Sequence, residues 1–304
     1  MRINLTRPSI IKEAENSLLY YRGRFKALSL LLDILLFVGI FYFSELIYGV
    51  VLNPFLYMYS LGEYLFPIEL ALEVVMTAIV VGGICLIQQR KMRTLGFIFS
   101  KRMIKQYLIG LGIGFVMFSA AVGICAMTGS LSLSVAPNFS VALFAAYCVG
   151  WFFQGMSEEA LCRGFSITSV ARRNNLVLAV AVNSIAFACL HLGNPGIGVL
   201  PMINLTLFGV FASVVFIKTG NIWMVSAIHS VWNLVQGNLY GIQVSGNDLM
   251  NTVWVSNMDT SRSIINGGDF GLEGGLGVTI VLVAGILVAL YIKVGKGEKN
   301  NEQV

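Results

Sequence analysis

The sequence predicts an all-α fold, a polytopic bundle of transmembrane helices, and three observations carry that prediction. Of the 304 residues, 57% are hydrophobic and only 12% are charged, about half the charged fraction of a soluble domain. The mean hydropathy is +0.80, and apolar runs of about 20 residues, the length needed to cross a bilayer, recur along the chain. The Lys and Arg side chains are also segregated to one set of the segments between those runs. An ordinary soluble globule is excluded, and nothing calls for a nucleic-acid partner. The lipid bilayer is the first partner the chain requires.

Eight spans are expected, over residues 27–51, 68–89, 106–128, 140–171, 176–191, 197–218, 221–240 and 275–293. The first begins after 26 residues that carry six basic side chains, so a cleavable signal peptide is not expected. The fourth is long and runs out into Arg172–Arg173. The fifth ends at His191 and is stopped by "GNPG" (193–196). The sixth and seventh are joined by "KTGN", which leaves room only for a tight turn. Eighteen of the 20 Lys and Arg fall on one side of this arrangement. The positive-inside rule then places both termini in the cytoplasm of a multi-pass cell-membrane protein.

Outside the spans the signals are weaker. Residues 8–21 read either as an interfacial amphipathic helix or as a solvated tail. The longest external segment, 241–274, is rich in Gly, Asn and Ser and reads as a flexible surface loop without chemistry. The five cysteines lie in apolar segments and are odd in number, which argues against a disulfide framework and for small hydrophobes.

The polar residues within the spans are the exceptions that need a reason. An acidic side chain at the middle of a membrane helix costs about 2.5–3.5 kcal/mol on insertion scales. "FFQGMSEEALCRGF" (152–165) nevertheless holds Glu158, Glu159 and Arg163. Glu159 and Arg163 are i,i+4 neighbours and can pair. Glu158 points about 100° away from Glu159 and stays free for chemistry. Both histidines of the chain sit at polar positions in spans: His191 ends "FACLH", and His229 begins "HSVWN" with Asn233 one turn on. Phe187 lies one turn before His191 and can pack beside its ring. Each of these has a plain structural reading, as an ion pair, a satisfied core histidine or packing. Asp33, Glu45, Glu69 and Glu73 are assigned to helix ends or interhelix contacts, and Asn204 to interhelix glue. Counting along each helix puts Glu158 and His191 roughly 21–24 Å above the cytoplasmic ends and His229 only roughly 12 Å above. That gap closes if the fourth span projects into the cytoplasm or if the turn after Lys218 sits inside the bundle.

The three motifs "EEALCR", "FACLH" and "HSVWN", in this order and on three separate spans, resemble E-E-x-x-x-R, F-x-x-x-H and H-x-x-x-N of the CAAX protease and bacteriocin-processing (CPBP, or Abi) family. These are intramembrane endopeptidases related to the type II CAAX prenyl endopeptidase. The resemblance covers residues 145–240. It implies that Glu158 is the general base, helped by His191, that His229 and Asn233 stabilise the oxyanion, and that Glu159, Arg163 and Phe187 support the site. Together with the expected spans it suggests an N-terminal cytoplasmic segment (1–26), N-terminal membrane helices (27–139), catalytic core helices (140–240), and an external loop with the last helix and a short tail (241–304). The implied partner is a peptide or membrane-protein substrate, with bacteriocin processing as one setting. The chemistry fits those roles: hydrolysis needs a base poised by a low-dielectric site and donors aimed at the developing oxyanion. No cofactor is needed for this route. The alternative is catalytic zinc held by Glu158, His191 and His229, although the H-E-x-x-H signature is absent. A non-proteolytic transporter or bacteriocin-immunity protein is the alternative of a different class.

Overall fold

The structure, a computed structural model, describes residues 7–16, 26–59 and 61–292. Expectations for residues 1–6, 17–25 and 293–304 lie outside the described residues. The chain runs through α1 (Ser9–Asn16), α2 (Lys26–Ile47), α3 (Asn53–Met58), α4 (Leu65–Leu72), α5 (Val74–Ile87), α6 (Lys101–Met127) and strand β1 (Leu131–Val135). It continues through α7 (Val141–Glu159), α8 (Thr168–Ala171), α9 (Leu176–Leu190), α10 (Val199–Thr219), α11 (Trp223–Leu234), β2 (Trp254–Met258), α12 (Ser263–Asn266) and α13 (Leu276–Tyr291). Four segments are long and apolar enough to cross a membrane: Ala27–Leu52, Gly62–Ile87, Lys101–Met127 and Val199–Thr219. Helices also occupy the other expected span positions, but in shorter or more polar form. With 15 residues, α9 is roughly 22 Å long, less than the ~30 Å of a bilayer's hydrocarbon core.

Burial identifies the central helix. In Val199–Thr219, 67% of the apolar window is buried, against 22–33% in the other three long helices. Those three present one face outward, with side chains such as Leu86 and Met127 more than four-fifths exposed. Asn204 acts as the glue its position suggested. Its amide donates to the carbonyls of Glu273 (2.7 Å) and Gly275 (2.9 Å), and its Oδ1 accepts from Thr279 at 2.6 Å. The buried Asp33 of α2 pairs with Arg172 at 2.8 Å, an interhelix contact of the kind expected for it. Residues 9–16 of the segment read as amphipathic are helical, and Ile10 and Ile11 are buried against the bundle. All five cysteines are free; Cys125 and Cys162 are buried, while Cys148 and Cys189 are exposed.

The helix that carries His229 and Asn233 is clamped by glycines. On α6, Gly114 faces α11 so closely that a Cβ there would lie 2.6 Å from the carbonyl oxygen of Ile228. On α7, a Cβ at Gly155 would lie 2.8 Å from the backbone nitrogen of Ser230. Small residues at such crossings let backbones approach where lipid offers no hydrophobic drive for helix pairing. The turn before α11 is also internal. Ile222 is fully buried and its N–H donates to the Gly96 carbonyl at 3.0 Å. The same stretch, residues 90–97, also packs on the end of the fourth expected span, where Arg90 donates to Thr168 and Ser169.

The segment 241–274 departs from its expected role as a flexible surface loop. It forms β2, which pairs antiparallel with β1, Leu131 opposite Met258. Phe270 and Leu272 are completely buried. Its glycines serve close packing rather than freedom: Gly271 has φ +83°, and a Cβ there would strike the carbonyl oxygen of Gln243. Composition alone cannot distinguish a loose glycine-rich loop from one wedged against its neighbours.

Gly155→Val should push α7 off α11. The expected cost is about 1–3 kcal/mol of overpacking, read as a lower unfolding midpoint of the detergent-solubilised protein. An unchanged midpoint would show that the two helices have slack at this crossing.

Candidate active site

Three helices deliver the polar side chains singled out in the sequence to one cavity of about 240 Å³. Glu158 comes from the end of α7, His191 caps the C-terminus of α9, and His229 and Asn233 lie on α11. All four line the cavity. Both α7 and α11 pass into π-helix just beyond these residues, over Ala160–Ile167 and Val235–Leu239. Such departures from α geometry recur at functional sites.

The roles of the two glutamates separate as their helical angle suggested. Glu159 and Arg163 are both fully buried and pair at 2.8 Å. The same Glu159 Oε1 accepts from His229 Nδ1 at 2.9 Å. Glu159 therefore does more than hold its own helix; it orients the imidazole of α11. Arg163 gives one N–H to Glu159, and its guanidinium carbon lies 4.6 Å from the centre of the Phe187 ring and 5.9 Å from that of Phe208. Cation–π contact is worth up to about 2 kcal/mol when desolvated and offsets part of the cost of burying the charge. Phe187 also packs against His191 and His229, with ring centres 5.0 and 6.0 Å away.

Glu158 faces the other way, into the cavity. Its Oε1 accepts from Gln154 Nε2 at 2.5 Å, and Gln154 Oε1 accepts from Asn233 Nδ2 at 2.9 Å. A continuous chain of hydrogen bonds thus joins Asn233 to Glu158. Glu158 Oε2 makes no hydrogen bond among the described residues and stands 3.9 Å from His229 Nε2. His191 Nδ1 is 2.9 Å from the Phe187 carbonyl oxygen. A carbonyl only accepts, so Nδ1 carries a proton, and in the neutral ring Nε2 is the nitrogen with the lone pair. Among the described residues no three His, Cys, Asp or Glu side chains are grouped to hold a metal ion, Glu158, His191 and His229 included.

The cavity also contains residues the sequence reading did not place there. Gln154 is one helical turn before Glu158, so the i,i+4 rule could have found it. Glu73 had been assigned to interhelix contact; it accepts from Ser157 Oγ at 3.0 Å and lines the cavity as well. Glu273 and Ser245 come from the segment read as featureless, and no local pattern marks them.

One family model matches the chain, over about a third of its length. Residues 138–235 match the type II CAAX prenyl endopeptidase, Rce1-like family. This is the family group that the three motifs resemble. The Rce1-like match spans the helices that carry Glu158, His191, His229 and Asn233. No curated protein matches the chain.

Glu159→Gln weakens one buried ion pair and loosens His229 with it. Breaking such a pair costs about 3–5 kcal/mol, so yield and unfolding midpoint should both fall. Glu158→Gln, which leaves that pair intact, should fold with near-normal yield. Equal stability of the two variants would contradict the division of labour described above.

Proposed function

We propose that this protein is an intramembrane endopeptidase that hydrolyses a peptide bond through water activated by Glu158. The observation that carries this reading is the position of Glu158 Oε2, free of hydrogen bonds among the described residues and facing His229 Nε2 at 3.9 Å inside the shared cavity. Its sister atom Oε1 is fixed by Gln154, so the carboxylate presents one basic oxygen in a set direction.

In the proposed reaction, Glu158 Oε2 takes a proton from water as the oxygen attacks the scissile carbonyl. His191, with its Nε2 lone pair directed by the bond at Nδ1, assists in orienting that water. The oxyanion that forms is met by His229 and Asn233. Donation from His229 Nε2 requires the imidazolium, whose charge Glu159 is placed to balance at Nδ1. The Glu158 proton then passes to the departing amine, and the carboxylate is regenerated. Removing one oxyanion donor typically costs about 10²–10³ in rate. Residues 140–240 serve as the catalytic core in this reading, and a bacteriocin or pheromone precursor is a substrate of suitable chemistry.

Peptide cleavage by the purified protein in detergent tests the proposal. Glu158→Gln should abolish cleavage, and Asn233→Ala should reduce it by about 10²–10³ with no change in metal content. Full activity with well under one zinc per chain after chelation would support Glu158-activated water. Activity that vanishes on stripping and returns with stoichiometric zinc would instead make Glu158, His191 and His229 ligands.

The basic residues separately support an orientation with residues 90–105 cytoplasmic and 241–274 external. In a cysteine-free background, an impermeant thiol reagent added outside should label Ser263→Cys and spare Ser100→Cys, both at exposed positions. The reverse pattern would invert the protein.

A further inference from the structure

We propose that Glu273 is a specificity-determining residue of this cavity and selects peptides with a Lys or Arg side chain next to the cleaved bond. This rests on the proteolytic reading above and names the substrate class. Glu273 lies on the short helical turn Leu272–Gly274, outside the segment that matches the Rce1-like family, yet it lines the cavity with Glu158 and Glu73. Its carboxylate is held from two sides. Oε1 accepts from the Trp232 indole at 3.2 Å, and Oε2 accepts from the Ser245 amide and hydroxyl at 2.9 Å each. Its backbone is fixed as well, because the Glu273 carbonyl accepts from Asn204.

Every one of these donors is neutral. No ion pair reaches Glu273 among the described residues, and no Lys or Arg lines the cavity. Arg163 is fully buried and spends its charge on Glu159. A carboxylate has about four lone-pair sites; three are used, and one remains for an incoming donor. The carboxylate is thus held rigidly at the cavity wall and makes no ion pair among the described residues. The wall combines Phe66, Leu70, Phe187 and Phe208 with the carboxylates of Glu73 and Glu158 and neutral amides, and at such short range in a narrow cavity the field of Glu273 acts more strongly than in bulk water. A cationic side chain is drawn in and an anionic one is repelled, which is how an interface obtains selectivity by penalising the wrong partner. Glu273 and the proposed catalytic groups Glu158, His229 and Asn233 line the same cavity of about 240 Å³, so a peptide seated there meets both.

The test uses the purified full-length chain in detergent and a peptide set in which each position around the cleaved bond carries Lys, Gln or Glu in turn. At one position, kcat/KM should rank Lys above Gln above Glu, with Lys over Gln by about 10- to 100-fold. Glu273→Gln keeps the shape and most hydrogen bonds and should collapse that ratio toward one while cleavage of the Gln peptide persists. Asp269→Asn, an exposed acid of the same segment, should leave the ratio unchanged. Cleavage by the wild type without a preference for Lys at any position, or a preference that survives Glu273→Gln, overturns this inference and leaves the proteolytic reading standing. Failure of the wild type to cleave any peptide overturns that reading, and this inference with it.

Discussion

A single oxygen, Glu159 Oε1, receives both the Arg163 guanidinium and the His229 imidazole, and the rest of the site depends on that shared contact. In a bundle with so few charges, a buried Arg is tolerable only if paired. The pair therefore fixes Arg163 and the turn of α7 that carries it. The same oxygen reaches across to α11 and sets the ring of His229. One local i,i+4 ion pair thereby becomes a link between two helices. The aromatic rings of Phe187 and Phe208 close over the guanidinium and keep water from weakening the pair, since Coulomb attraction grows as the local dielectric falls.

Such a link demands that α7 and α11 come unusually close. Side chains of ordinary size would hold them apart; Gly155 removes that obstacle between α7 and α11, and Gly114 lets α6 press on α11 from another side. Glycine in a helix interior is unfavourable by roughly 0.5–1 kcal/mol relative to Ala, so its use here is explained by proximity. The π-helical stretches after Glu159 and after Leu234 accompany the close crossing. They also keep the residues that follow buried within the bundle.

The cavity is completed by parts of the chain distant from these helices. Glu73 sits at the break between α4 and α5 and is tied to α7 through Ser157. Glu273 and Ser245 arrive from the segment between α11 and α13, stapled to Trp232. The result is a site in which Gln154 couples Glu158 to Asn233 and the walls combine aromatic surface with carboxylates. Any ligand entering such a site must replace the water that solvated its polar groups, so the positions of the fixed donors and carboxylates set what it can hold.

By itself the sequence determined what depends on short-range spacing. Composition and apolar run lengths gave a helical membrane bundle. The i,i+4 rule gave the Glu159–Arg163 pair and set Glu158 on a different face. The motifs marked His191, His229 and Asn233 as residues that need a common purpose. What depends on contacts between distant segments was invisible to it. Nothing near Glu273 announces a cavity, because its partners are 28 and 41 residues away. The glycine-rich run around it reads as loose chain until Gln243 is seen packed against Gly271. Only the tertiary structure decided that Glu159 also orients His229, that Gln154 joins Glu158 to Asn233, and that the loop closes over the site. The physical reason is the same in each case: helical periodicity fixes the direction of a side chain about its own axis, while the partner it meets is set by how the helices pack.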